Sequence, residues 1–252
     1  LDTDDTDRPL DTDDTDRPLD TDDTDLPADT GDTADSDPAT DTADTAAPLP
    51  AWTHTILIDG DPADWFLDEA LPTASGTLRV TWDADWLYLS FQHPDLTTGG
   101  PLHWLIITLG SGAPGAAEGP GTGTQVPALG FPATTTFRYK ADGSYHDLVT
   151  WDGAAWAFTP EPWGPAPNLS LAERDDLGAV ELRLDRAALG LHGSLSLVAH
   201  LQYEGAGFES SWAPSPPTAF TEGAYDPDLG VWWTLDLTAP VAPGAGAILT
   251  SP

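Results

Sequence analysis

Hydroxyls, carboxylates and indoles are the side chains of this 252-residue chain whose spacing points to chemistry. The most regular set is a hydroxyl ladder. Thr3, Thr6, Thr12, Thr15, Thr21, Thr24, Thr30, Thr33 and Ser36 share one three-residue phase, and Pro9, Pro18 and Pro27 fill its intervening steps. An extended polyproline II chain has three residues per turn, each rising about 3.1 Å, so these side chains would lie along one edge roughly 9 Å apart. Thr-rich, Pro-punctuated segments are hosts for O-glycans. The ladder therefore predicts glycosylation at these nine hydroxyls. A bare solvated spacer and a Ca²⁺-responsive segment are the alternatives, although the Gly turn and closing Glu of an EF-type loop are missing.

Eleven Trp residues supply the second candidate chemistry. Exposed indoles offer flat apolar faces on which sugar rings stack. Trp163 lies between Pro160 and Pro165, and Trp212 precedes a Pro/Ser loop. Trp233 follows Trp232, and neighbours on a strand point to opposite faces, so one of the two is expected to face outward. Trp65 and Trp82 occupy core-pattern positions and read as structural. Asp59, Asp61 and Asp64 cluster in one turn, and Asp83 and Asp85 in another. Hard carboxylate oxygens suit Ca²⁺, while Asp also favours turns by bonding its own backbone.

Signs of catalysis are missing from the sequence. The six His residues show no metal-type spacing, and there is no Gly-x-Ser-x-Gly elbow. Zero Cys excludes disulfides, thiolate ligands and thiol nucleophiles. No pair of carboxylates stands out for glycoside hydrolysis. Asn168-Leu169-Ser170 forms an N-glycosylation sequon around the only Asn. A non-catalytic protein is expected.

The elements that carry these residues divide near position 50. Residues 1–50 hold 18 Asp, 11 Thr, 6 Pro and 2 Arg, with no aromatic residue. A nonapeptide, Leu-Asp-Thr-Asp-Asp-Thr-Asp-Arg-Pro, runs from Leu1 to Pro9 and from Leu10 to Pro18, and returns with Leu26 in place of Arg from Leu19 to Pro27. Such a segment lacks the apolar surface to offset its ordering entropy. Like-charge repulsion favours extension, so an acidic stalk is expected. Residues 51–252 hold all 23 aromatic residues and form the expected folded domain.

A net charge of −34 argues against nucleic acid and anionic membranes as partners. No apolar run is long enough to span a membrane as a helix. The absence of Met leads to the expectation that a leader or longer precursor has been removed.

The second segment alternates with period two. Leu78, Val80 and Trp82 precede an Asp83-Ala84-Asp85 turn, and Leu87, Leu89 and Phe91 follow it. This pattern predicts a hairpin with one buried face. Residues 103–109 read as a central strand. Asp142-Gly143 and Asp152-Gly153 separate further alternating runs, which predicts more hairpins. Strands are also expected at 178–184, 194–204, 231–238 and 246–250, with one helical turn at 185–189. The Gly-rich stretch 110–123 reads as a surface loop without the context of a phosphate loop. The predicted fold class is all-β, a jelly-roll-like β-sandwich preceded by a polyproline II-like segment.

Ile58-Asp59-Gly60-Asp61-Pro62-Ala63-Asp64-Trp65, followed by the hairpin Leu78–Leu89, resembles the opening of family 9 carbohydrate-binding modules and related DOMON-like sandwiches. The run Val180–Gly190, Ser211-Trp212-Ala213-Pro214 and Gly230–Leu235 resemble later elements of that family. The resemblance implies a β-sandwich of the kind attached to extracellular surface or glycan-active proteins. Together with the stalk, it leads to a secreted surface glycoprotein, expected as a structural subunit of an extracellular fibre or coat. Its partners would be copies of itself and covalent glycans. The alternative is a carbohydrate-binding module that meets a polysaccharide, with the stalk as spacer.

Overall fold

The computed structural model describes residues 52–252, apart from 98–99, 101, 113, 159–167, 206–209, 219 and 221–224. The hydroxyl ladder, its polyproline II geometry and Trp163 therefore lie outside the described residues.

Period-two sequence becomes a two-sheet sandwich. The first sheet is antiparallel, with strand order β1 (Ala70–Leu71), β2 (Thr77–Trp82), β3 (Trp86–Gln92), β11 (Ala179–Asp185) and β10 (Leu169–Arg174). The second runs β16 (Ile248–Thr250), β15 (Trp232–Asp236), β12 (Ser194–Tyr203), β4 (His103–Gly110), β7 (Thr135–Lys140), β8 (His146–Trp151) and β9 (Trp156–Phe158). Strand β13 (Ser210–Ser215) pairs with the far half of β12, beyond the end of its pairing with β15.

Facing rows of alternate residues make the core. Leu78, Val80, Leu89, Phe91, Val180 and Leu182 of the first sheet join Leu105, Ile107, Phe137, Leu195 and Leu197 of the second. All of these side chains are buried. Truncating one of the core leucines to Ala costs about 2–5 kcal/mol, because the cavity adds to the lost transfer energy.

Asp residues close the hairpins. Asp83 accepts hydrogen bonds from the amides of Asp85 (2.9 Å) and Trp86 (2.8 Å) between β2 and β3. Asp152 accepts from Ala154 and Ala155, both at 2.8 Å, between β8 and β9. Gly153 takes φ of 102° in that turn, a region that disfavours a side chain.

Both sheets carry further cover on their outer faces. Residues 56–65 lie over the first sheet, where Ile56 and Trp65 pack on Tyr88. Glu181 holds this cover down, accepting from Trp65 Nε1 (2.6 Å) and the Gly60 amide (2.9 Å). Over the second sheet lies a small third sheet of β5 (Ala116–Glu118), β6 (Ala128–Ala133) and β14 (Asp228–Leu229). Its Leu129, Phe131 and Leu229 pack on Val198 and Trp232. The Gly-rich stretch 110–123, expected as a loop, thus includes β5 and part of this cover. Residues 186–190 form turns, and the Leu189 amide donates to the Asp185 carbonyl at 3.2 Å, as in the single helical turn expected there. Among the described residues, no helix is long and apolar enough to cross a membrane.

Candidate functional site: an indole-lined groove

The hairpin of β8 and β9 sets two indoles side by side. Trp151 and Trp156 are direct cross-strand partners, so both project from one face of the strands. Their rings meet edge-on, with centroids 5.6 Å apart and an interplanar angle of 67°. Trp156 Nε1 donates to the Glu118 carbonyl at 3.0 Å, which fixes that ring against β5. Both indoles are half-buried.

The pair lines a surface hollow. Trp151 borders a hollow of about 510 Å³, lined also by Gly115, Ala117, Glu118, Val126 and Trp156. Trp151 also borders a second hollow of about 430 Å³, whose lining includes Ser111, Thr134, Thr150, Asn168 and Leu189. Trp151 belongs to both. The two hollows differ chemically. One offers apolar and aromatic surface, and the other offers hydroxyls and a carboxamide. An apolar platform beside a few polar groups is the usual composition of a small-molecule site.

The proposed sugar-contact tryptophans occupy other places. Trp212 is half-buried, with Nε1 donating to Asp95 Oδ2 at 2.9 Å and its ring edge-on to His103. Trp233 is buried and donates to Ser215 Oγ at 3.0 Å. Its neighbour Trp232 is buried as well, so neither indole of that pair faces outward. The reason is the third sheet, which covers the face that strand geometry alone would leave open. Trp65 and Trp82 are buried, as their core-pattern positions predict.

Turn geometry accounts for much of the first Asp cluster. Asp59 Oδ1 accepts from the Asp61 amide at 2.9 Å, and Asp61 Oδ1 from the Ala63 amide at 3.1 Å. Asp61 Oδ2 meets Arg174 at 3.2 Å, and Asp64 Oδ2 accepts from the Leu57 amide at 3.0 Å. Among the described residues, no group of three or more His, Asp or Glu side chains is placed to hold a metal ion. Asp83 binds Tyr88 Oη (2.6 Å) and Thr55 Oγ1 (2.9 Å). Burial opposes ionisation of Asp83, but these bonds and the turn amides hold its carboxyl below the ordinary range.

One trio has the residue types of a nucleophile, base and acid. Ser75 Oγ is 3.0 Å from His93 Nε2, and His93 Nδ1 is 3.5 Å from Asp95 Oδ2. The Asp95 amide, however, donates to His93 Nδ1 at 3.1 Å. Burial lowers the pKa of His93, favouring the neutral ring. With Nδ1 accepting, its single proton sits on Nε2 and is donated to Ser75. A serine nucleophile needs the opposite tautomer. In this tautomer the trio clamps the turn at Ser75.

Sequence alone does not single out Trp151 and Trp156, which sit in an ordinary hairpin pattern. The available signal was their placement across Asp152-Gly153, which makes them cross-strand neighbours once the turn is recognised. No family model matches this chain, and no curated protein matches it either.

Proposed function

We propose that the chain is a non-catalytic, carbohydrate-binding β-sandwich displayed outside the cell on an acidic, O-glycosylated stalk. The observation that carries this reading is the Trp151–Trp156 corner with hydroxyl and amide groups beside it. Indole faces match the C–H faces of a pyranose, and the polar groups match its hydroxyls. The resemblance of Ile58–Trp65 and the following hairpin to family 9 carbohydrate-binding modules agrees with it. The phased hydroxyls from Thr3 to Ser36 would carry the stalk's sugars, and its charge would hold the module away from its attachment.

Tryptophan fluorescence titration of the full chain against a panel of soluble glycans tests the reading. Binding that is lost in Trp151→Ala supports it, and binding that survives this change refutes the site. Mass spectrometry of native stalk peptides tests the glycans, since unmodified Thr3 to Ser36 would leave a bare spacer.

A second reading, a structural subunit of a fibre or coat, draws on β16. This strand ends the order of the second sheet, and its Ile248 and Leu249 are 64% and 51% exposed. An end strand with exposed apolar side chains is a template for pairing with another chain. Sedimentation at rising concentration separates the two readings. Assembly abolished by Ile248→Lys favours the subunit, and a persistent monomer favours the module.

A further inference from the structure

We propose that the cover formed by residues 56–65 is seated on the first sheet through a buried site for ordered water, built by Asp64, Arg79, Thr81 and Ser90. Polar atoms without partners concentrate at this place. Among the described residues, eight buried side-chain nitrogen and oxygen atoms have no hydrogen-bond partner, and Asp64 Oδ1, Arg79 Nη1, Thr81 Oγ1 and Ser90 Oγ are four of them. Thr81 and Ser90 are fully buried. Leaving a buried polar group without a partner is costly, so native structures satisfy such groups with protein or with water.

Strand geometry brings these atoms together. Successive side chains on a strand take opposite faces. Leu78, Val80, Leu89, Phe91, Val180 and Leu182 belong to the core. Arg79, Thr81, Ser90 and Glu181 therefore stand on the outer face, beneath the cover. Arg79 pairs directly with Ser90, and Ser90 with Glu181. Cross-strand partners have Cβ atoms about 4.5–5.5 Å apart. One water with two hydrogen bonds of about 2.8 Å spans such a gap. Thr81 lies two residues beyond Arg79 on the same face. Asp64 comes from the cover and lies in the field of Glu181, to which its neighbour Trp65 is bonded.

The nearby carboxylates are engaged with other groups. Glu181 accepts from Trp65 Nε1 and from the amides of Gly60 and Asp59. Glu69 accepts from the Phe66 amide at 2.7 Å and meets His54 Nδ1 at 2.9 Å. Arg79 lies in the field of both carboxylates but takes part in none of these bonds, and its Nη2 reaches Gln92 Oε1 at 3.4 Å. Charge selects the ligand. An anion would face Asp64, Glu69 and Glu181, and a cation would face Arg79. A guanidinium nitrogen donates, a carboxylate oxygen accepts and a hydroxyl does both. The site therefore takes a neutral molecule that both donates and accepts. With both hydroxyls enclosed, water is the molecule that fits.

Magnetic relaxation dispersion of the solvent oxygen, which detects internal waters that exchange slowly, tests this on the full chain together with urea unfolding. The parent is expected to hold long-lived internal water, and Thr81→Val combined with Ser90→Ala should lose part of that signal. The same double variant should raise the unfolding equilibrium constant about threefold or more, because removing the hydroxyls strands the bonds of the water they hold. Absence of long-lived water from the parent, or a dispersion amplitude unchanged in the double variant, overturns the site. A double variant as stable as the parent or more stable also overturns it, since removing hydroxyls from a dry contact relieves the cost of burying them. Should the double variant fail to fold, Thr81→Val alone, which keeps the side chain's shape, is read by the same two criteria.

Discussion

Acid should weaken the fold through His200, and the size of the effect follows from its surroundings. His200 sits in the middle of β12, opposite Ile106 of β4, on the face of the second sheet that the third sheet covers. It is 2% exposed, its Nδ1 has no partner among the described residues, and the Phe220 ring meets it edge-on at 5.6 Å. Burial alone pulls its pKa down to about 4. The unfolded chain takes up this proton near the ordinary value of about 6.5. Between those two values the unfolded state holds more protons than the folded state, so stability falls as pH falls. The contribution is intact above about pH 6.5 and fully lost below about pH 4. Each pH unit of separation is worth about 1.4 kcal/mol, so acidifying from about pH 7 to about pH 4 removes roughly 3 kcal/mol through this one ring. Carboxylates titrate over part of the same range, so the diagnostic quantity is the difference between two proteins. His200→Leu cannot titrate and removes the unpartnered nitrogen, so it should lie within about 1 kcal/mol of the parent near neutral pH. Urea unfolding followed by tryptophan fluorescence at both pH values measures the four stabilities. Parallel losses in the parent and His200→Leu would refute the assignment of this acid sensitivity to His200.

Trp65→Phe leaves the buried Glu181 carboxylate one donor short and should cost about 2 kcal/mol. Denaturant midpoints measure that cost, and faster hydrogen exchange over residues 56–60 would locate it. Arg138→Ala strands the buried Asp147 and should cost about 3–5 kcal/mol, whereas the paired change Arg138→Met with Asp147→Leu should recover most of it. Thermal unfolding of the three proteins checks this, and equal losses in single and paired variants would contradict it. Residues 51–252 expressed alone should fold, giving a circular dichroism spectrum of β type and a single cooperative transition, because the described core lies within them.

Local rules were enough for the strands of the sandwich. Leu78, Val80 and Trp82 alternate with polar neighbours, and Asp83 and Asp152 sit where a turn must bond its own amides, so the hairpins β2–β3 and β8–β9 were legible residue by residue. The core-pattern positions of Trp65 and Trp82 likewise agreed with their burial. Period two, however, says only that successive side chains take opposite faces. It cannot say whether a second layer covers the outer one. That was decided by the third sheet, whose Leu129, Phe131 and Leu229 come from segments distant along the chain and bury Trp232 and, with it, the expectation of an exposed indole there. The candidate site depends on the same kind of fact. Trp151 and Trp156 became a groove wall only when β5 came to rest beside their hairpin and Asn168 was brought near by the return of the chain into β10. Charge and composition, which are sums over the chain, were readable at once. The groove is a juxtaposition of residues from 111 to 190, and such contacts exist only after the sheets have packed.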